Sequence, residues 1–212
     1  YTGTAANATV FHGIGTAPSI IICKSRTSVI SWPVYSSTLG ISKYLELNTT
    51  IAAGSISNYW GANSPTPTVF SLPNAAYNNN LNSQNYIAYC FAEVPGYSAI
   101  GSYTGNGSTD GPFVYTGFTP RYVMLKVVSG QINATNWQIF DTARNPNNVI
   151  PTYLFADSTG AESDSGAAYF NTDILSNGFK LRAANSYGIN QSGATYIYMA
   201  FAENPFKNSN AR

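Results

Sequence analysis

Apolar positions occur along this chain in short runs rich in Ile, Val, Tyr and Phe, and clusters of Gly, Pro, Asn and Ser separate the runs. Runs of this kind predict β-strands. No window carries an apolar stripe with the period of a helix, so antiparallel pairing without helical crossovers is expected. The pattern predicts an all-β fold of jelly-roll-like β-sandwiches. Strands are expected near residues 9–12, 19–25, 30–36, 43–48, 67–72, 85–93, 112–116, 121–128, 136–141, 152–156, 168–175, 178–183 and 195–203.

The two halves of the chain are similar to each other. Matching residues recur in the same order, at a spacing that only increases along the chain, as duplication followed by loop growth would leave them. We therefore predict two homologous antiparallel β-sandwich units in tandem, 1–97 and 98–212, joined near Gly96 to Gly101 and packed against each other. The matches include Tyr1-Thr2-Gly3 with Tyr103-Thr104-Gly105, Phe11 with Phe113, Lys24 with Lys126, Trp32 with Trp137, and 86–95 with 196–205.

The last predicted strand of each unit is apolar on both faces. In the first unit, Ile87, Tyr89 and Phe91 alternate with Tyr86, Ala88, Cys90 and Ala92. A strand with one wet face should alternate apolar and polar residues, so both faces are expected to be covered. We assign the Ile/Phe face to the sandwich core and the Tyr/Ala face to the sister unit or another subunit.

The composition of the chain excludes several classes of function. The 212 residues are 44% hydrophobic and only 9% charged, with a net charge of +1. The hydrophobic content argues against disorder, and the scarcity of charge argues against a nucleic-acid partner. No apolar run approaches the ~20 residues that span a bilayer, so no membrane insertion is expected. Tyr1 opens the chain without a leader-like segment, which indicates processing or excision from a longer polypeptide.

Two lysines and two glutamates recur at matching positions: Lys24 and Glu93 in the first unit, Lys126 and Glu203 in the second. We interpret them as structural Lys–Glu pairs at the strand ends, or as glutamates that accept loop N–H bonds. Acid/base catalysis is the alternative, and a glycosidase would need two carboxylates at one cleft. The only other acidic residue of the first unit is Glu46. No catalytic residue, cofactor or metal is therefore predicted.

Trp60 has no counterpart in the second unit and lies in a loop with Tyr59 and Asn63. An exposed aromatic ring flanked by amides can stack on a sugar and bond its hydroxyls, so these three residues are the candidate glycan contact. The alternative is a loop aromatic folded over the sandwich edge. The segments 73–85 and 157–167 are expected to be long exposed loops.

Four other groups of residues have structural interpretations. Cys23 and Cys90 match Leu125 and Ala200, which indicates buried small hydrophobes; a disulfide is possible but not expected. His12, the single histidine, lies in a strand-like run without a nucleophile elbow. Asp157, Glu162 and Asp164 share a loop that could hold Ca²⁺ but lack the spacing of a calcium loop. Trp32 and Trp137 are expected in the core.

The second half carries a motif series that resembles a known family. The series is Gly117-Phe118-x-Pro120, Val123 to Lys126, Trp137-x-x-Phe140-Asp141-x-x-Arg144, Tyr153-Leu154, Ser176-Asn177-Gly178-Phe179-x-Leu181 and Asn190-x-Ser192-Gly193-x-Thr195-Tyr196-Ile197-x-x-Ala200-Phe201. It is similar to the recurrent domain of tailed-phage virion proteins, found in tail fibres and other surface structural proteins of marine phages. The first half fits more loosely, with Ser36 and Leu39 in place of Asp141 and Arg144.

This resemblance implies a concanavalin-like β-sandwich on a virion surface, outside the cell, and implies no catalytic residues. The expected function is a non-enzymatic structural or adhesion module of the decoration or tail-fibre type. It would assemble with other virion subunits or with itself as a homo-oligomer, and could contact host-surface carbohydrate. The alternatives are a carbohydrate-active enzyme and a stand-alone sugar-binding module on the same fold.

Overall fold

The structure, a computed structural model, describes residues 1–130, 135–164, 170–184 and 188–205. These residues form sixteen strands and no helix, so the all-β prediction is confirmed. No helix of the described part could therefore cross a membrane. The chain divides into two compact units, Tyr1–Ala92 and Glu93–Arg212.

The first unit contains seven strands in two antiparallel sheets. A five-stranded sheet has the order β5-β4-β3-β2-β7, and a two-stranded sheet pairs β1 with β6. The strands are β1 (Ala8–Phe11), β2 (Ile20–Ser25), β3 (Pro33–Ser36), β4 (Lys43–Glu46), β5 (Gly54–Ser55), β6 (Val69–Leu72) and β7 (Tyr86–Phe91).

The second unit contains nine described strands. A six-stranded sheet has the order β13-β12-β11-β10-β16-β8, and a three-stranded sheet has the order β14-β15-β9. The strands are β8 (Ser98–Thr104), β9 (Phe113–Tyr115), β10 (Pro120–Ser129), β11 (Gln138–Asp141), β12 (Thr152–Phe155), β13 (Ser163–Asp164), β14 (Thr172–Leu175), β15 (Gly178–Leu181) and β16 (Thr195–Ala202).

Side chains from both sheets of a unit share one core, which makes each unit a β-sandwich. In the first unit, Ile21 and Cys23 of β2 pack with Phe70 and Leu72 of β6. In the second, Val123, Leu125 and Val127 of β10 pack with Phe179 and Leu181 of β15. Burial of these apolar side chains contributes about 1.5–3 kcal/mol each.

The two units share their strand order. The order β5-β4-β3-β2-β7 corresponds strand for strand to β13-β12-β11-β10-β16, and the pair β1-β6 corresponds to β9-β15. The pairing register agrees too: Ile21 lies opposite Cys90, as Val123 lies opposite Ala200. The second unit differs by β14 and by β8, which lies beside β16. Descent of both units from one ancestor stays a hypothesis.

Three strands were not predicted. β5 and β13 are two residues long, too short to produce a pattern in the sequence. β8 (Ser98–Thr104) begins inside the junction that was predicted near Gly96 to Gly101. Residues 168 and 169 of the predicted strand 168–175 lie outside the described residues. The hairpin predicted at Asn177-Gly178 is confirmed, with Leu175 paired to Gly178. Gly178 is required there because a Cβ would strike the Val114 carbonyl of β9.

Candidate functional site

The loop aromatics predicted to stack on sugars lie in the core of the first unit. Trp60 is 1% exposed and Tyr59 is 3% exposed. The Tyr59 ring stacks on Tyr44 and Tyr77, with ring centroids 4.3 and 5.1 Å apart. Of the two interpretations of this loop, the structure agrees with the aromatic loop folded over the sandwich, which removes two large rings from water. Asn63 is exposed, but its two predicted aromatic partners are not.

The predicted Lys–Glu pairs fail because of strand register. Lys126 lies opposite Ile197, whereas Glu203 follows the far end of the same strand. Glu203 lies six positions after Ile197, which at about 3.3 Å per residue is a distance of roughly 20 Å along the strand. The register of β2 and β7 likewise places Lys24 opposite the start of β7, whereas Glu93 follows its end.

Both lysines instead lie over tryptophan rings. The Lys126 Nζ is 5.9 Å from the ring centroid of Trp137 and donates a hydrogen bond to the Thr135 carbonyl. The Lys24 Nζ is 5.2 Å from the ring centroid of Trp32. Burial lowers the pKa of Lys126 to about 8, against the opposing effect of Asp157. Trp137 is buried, as predicted, whereas Trp32 is only half-buried.

A buried asparagine fastens the loops of the second unit. The Asn190 side chain is fully buried, and its Oδ1 accepts a hydrogen bond from the backbone N–H of Asn106 at 2.9 Å. Its Nδ2 donates to the carbonyls of Ser108 at 2.8 Å and Ala183 at 2.9 Å. One side chain therefore connects its own loop to the loop at 106–108 and to Ala183.

The same arrangement recurs in the first unit at Asn80. Its Oδ1 accepts from the N–H of Thr4 at 2.9 Å, and its Nδ2 donates to the carbonyls of Ala6 at 3.0 Å and Pro73 at 2.7 Å. Asn80 and Asn79 are fully buried, so the prediction of an exposed loop is wrong at these positions. A primary amide can be buried in a polar loop because its NH₂ group donates to backbone carbonyls and its oxygen accepts from backbone N–H groups.

A pair of stacked tyrosines accompanies each of these asparagines. Tyr103 stacks on Tyr196 with centroids 4.9 Å apart, and Tyr1 stacks on Tyr86 at 5.0 Å. The Tyr103 hydroxyl donates to the Ile189 carbonyl at 2.7 Å, as that of Tyr1 donates to the Asn79 carbonyl at 2.8 Å. Desolvation raises the pKa of the Tyr103 hydroxyl well above its usual range. These groups are structural, since their polar atoms are satisfied by backbone.

Among the described residues, the titratable side chains do not converge on a centre. Cys23 and Cys90 are free thiols, and burial raises their pKa values to about 12 and about 11. Asp157 accepts a hydrogen bond from the Trp137 N–H at 3.1 Å, and Glu162 pairs with Arg144 at 3.5 Å. Across the described residues, no group of three or more His, Cys, Asp or Glu side chains is placed to hold a metal ion.

Aromatic side chains stand on the outer face of the small sheet in each unit. Phe11 is 73% exposed and Tyr115 is 66% exposed. Phe11 pairs with Val69, which directly precedes the buried Phe70. Tyr115 pairs with Gly178, which directly precedes the buried Phe179. Phe11 therefore corresponds to Tyr115 in the structure, and the sequence match of Phe11 with Phe113 is wrong by two residues.

The two faces of the last strand were assigned the wrong way round. Ala88 and Cys90 pack against the core of the first unit, whereas Ile87 and Tyr89 point outward. In the second unit, Tyr196, Tyr198 and Ala200 belong to the core. Ile197 and Met199 on the other face are also buried, so β16 is covered on both faces as predicted. In β7 the outward face is partly open within this chain, since Ile87 is 39% and Tyr89 45% exposed; cover by another subunit stays a prediction.

β7 is also an edge strand with a groove beside it. It ends the five-stranded sheet, and of the residues that the structure describes, Tyr1–Gly3 lie along its first residues. Beyond these residues, a groove of about 320 Å³ lies beside β7. It is lined by residues of β7, by the end of β1, and by His12 and Ile14, which come after β1. On the outward face, a second groove of about 570 Å³ is lined by Lys24, Arg26, Val29, Ile87 and Tyr89.

A single family model covers nearly all of this architecture. It describes a domain of unknown function, DUF7483, and matches residues 1–205. The chain belongs to the DUF7483 family. The match runs through both sandwich units, so the DUF7483 domain comprises the pair rather than one unit. No curated protein and no solved structure matches the chain.

Two features of this DUF7483 domain were not predicted from the sequence. The buried amides were hidden in polar loops, although Asn80 and Asn190 recur at the same spacing as the last strands, and that recurrence was a usable signal. The open edge of β7 depends on what lies beside it, and a single strand's pattern carries no information about its neighbours.

Proposed function

We propose that this DUF7483 domain is a non-catalytic structural module that associates with copies of itself. The observation that supports this proposal is the pair of exposed aromatic residues, Phe11 and Tyr115, at corresponding positions of the two small sheets. The outward face of an antiparallel sheet is normally polar. A contiguous apolar patch exposed on a protein commonly marks an interaction site.

The proposed setting is the surface of a virion, with other virion subunits as further partners. The motif series between residues 117 and 201 supports it, through its similarity to recurrent domains of tailed-phage structural proteins. The low charge suits close assembly, because few charged groups must be desolvated when surfaces meet. A glycan-binding role is not proposed, since Tyr59 and Trp60 are buried.

Sedimentation equilibrium of the full chain tests self-association. We expect a mass above 22.7 kDa at micromolar protein, and a weaker association for Tyr115→Ser. Tyr89→Ser is the matched control, since Tyr89 is an exposed tyrosine of β7 outside the small sheets. A monomer for the unmodified chain at these concentrations would overturn the proposal, as would an equal loss of association in both variants.

A further inference from the structure

Another groove on the first unit is surrounded by uncharged polar side chains. It has a volume of about 300 Å³ and lies where the loops before β1, after β5 and after β6 meet. Asn7, Asn58 and Asn74 line it, one from each of these loops, and Tyr77 adds an aromatic ring. None of the described residues that line it is charged. We call this site the amide groove.

The aromatic ring of the amide groove is held by other rings behind it. Tyr59 stacks on Tyr77 with ring centroids 5.1 Å apart and planes at 5°, and it stacks on Tyr44 at 4.3 Å. Tyr59 is buried, whereas Tyr77 is half-buried and lines the groove. A ring that is already fixed by packing loses little conformational freedom when a ligand packs against it.

Two sides of the groove are fastened by the buried Asn80. Its Nδ2 donates to the carbonyls of Ala6 at 3.0 Å and Pro73 at 2.7 Å. These residues directly precede Asn7 and Asn74, the two exposed asparagines of the groove. The backbone that carries both side chains is therefore tied to one internal point, which sets the distance across the groove before any ligand binds.

The asparagines around the groove are available to a ligand. Among the described residues, no hydrogen-bond partner is found for the side-chain amides of Asn7, Asn58 and Asn74. Each amide offers two N–H donors and one carbonyl acceptor. Donors and acceptors from three loops therefore point to a ligand that can both accept and donate hydrogen bonds.

A second groove of about 320 Å³ adjoins the first and shares Asn7 and Ala62 with it. It is lined by Asn63, the exposed member of the sugar contact predicted from the sequence. Tyr59 and Trp60, the other two members, are buried. The site is therefore not the predicted one, because its aromatic ring comes from the loop after β6.

We propose that the amide groove binds a neutral sugar. The C–H face of the sugar packs on the Tyr77 ring, and Asn7, Asn58 and Asn74 bond its hydroxyls. A hydroxyl both donates and accepts, as a primary amide does, and an aromatic ring takes up the apolar face. The uncharged lining provides no partner for an acidic or basic ligand. A second linked sugar occupies the adjoining groove. This inference does not depend on the proposed self-association.

Titration of the ¹⁵N-labelled full chain with neutral sugars, followed by NMR, tests this. The probes are glucose, galactose and mannose, and the disaccharides maltose, cellobiose and lactose. At least one of them should shift the amide signals of Asn58 and Asn74. We expect a dissociation constant on the order of 1 mM for a monosaccharide. The matching disaccharide should bind about tenfold more tightly, because its second ring gains contacts in the adjoining groove.

Two variants remove single amides from the groove. Asn74→Ala should weaken sugar binding about fivefold, which is the loss of one net hydrogen bond. Asn58→Gly should have a similar effect, and since Asn58 has a φ of 54°, glycine preserves its backbone conformation. Asn82→Ala is the matched control, because Asn82 is exposed in the same unit and lines neither groove. Thermal unfolding checks that all three variants fold.

The proposal is overturned if none of these sugars shifts the two amides at about 50 mM, or if Asn82→Ala weakens binding as much as Asn74→Ala does. A neutral capped tripeptide that binds as tightly as the best sugar would identify a polypeptide site and overturn it too. Glucuronate should bind no more tightly than glucose, and tighter binding would contradict the uncharged lining. A monomeric protein in sedimentation equilibrium would leave these outcomes unchanged.

Discussion

Replacing the buried Asn190 by alanine should destabilise the second unit severely. Three backbone groups would lose their partner: the Asn106 N–H and the carbonyls of Ser108 and Ala183. A net loss of about 1 kcal/mol for each bond gives a total of about 3 kcal/mol. That corresponds to a fall of roughly 100-fold in the folding equilibrium constant.

Urea unfolding followed by tryptophan fluorescence measures this loss, since Trp137 is buried in the second unit. Amide exchange at Phe179 of β15 would assign it to that unit. Asn80→Ala should cost a similar amount in the first unit, where Asn80 bonds three backbone groups of its own.

Asn63→Ala is the control, because Asn63 is exposed and surface substitutions usually change stability by less than about 0.5 kcal/mol. The reasoning is refuted if Asn190→Ala lowers the free energy of unfolding by less than about 1 kcal/mol. It is equally refuted if Asn63→Ala costs as much as Asn190→Ala.

Three further outcomes follow from buried side chains. Trp60→Ala should lower the free energy of unfolding by about 3–5 kcal/mol, measured by urea titration, whereas a loss below 1 kcal/mol would contradict its place in the core. The pKa of Lys126 falls from 10.5 to about 8 on folding, so the unfolded chain binds more protons above pH 8 and stability should rise there. The unfolding free energy of the wild type minus that of Lys126→Met should increase by about 1 kcal/mol from pH 8 to pH 9. If this difference stayed constant, the result would count against a buried amine. Burial raises the pKa of Cys90 to about 11 and that of Cys23 to about 12, from 9.0. Iodoacetamide at pH 8 should therefore alkylate folded Cys90 about 100-fold more slowly than unfolded chain, and Cys23 more slowly still; equal rates would exclude this.

The strands could be predicted because their pattern is local. The run Ile20 to Cys23 is apolar at every position, and it becomes a central strand buried on both faces. β8 was not predicted because Ser98, Gly101 and Ser102 interrupt its apolar pattern. Gly101 is a glycine because a side chain there would contact the Tyr198 ring too closely. That requirement comes from a residue almost a hundred positions away, beyond the reach of any window.

The candidate site was harder to predict because exposure is decided by neighbours. Trp60 and Phe11 are both aromatic residues, yet the first is buried and the second is exposed. Lys126 and Glu203 have the right charges for a pair, and only the register of β10 on β16 shows that they lie at opposite ends. Composition identifies which residues could interact, and pairing decides which ones do.

The pairing of β2 with β7 has a consequence for how the protein is made. Ile20 lies beside Phe91, so a ribosome must add about 70 residues after β2 before its partner emerges. At about 5–20 residues per second, this takes roughly 4–14 s. During that interval the apolar run of β2 lacks its partner on that side, which makes the nascent first unit a candidate client for chaperones that hold extended apolar segments.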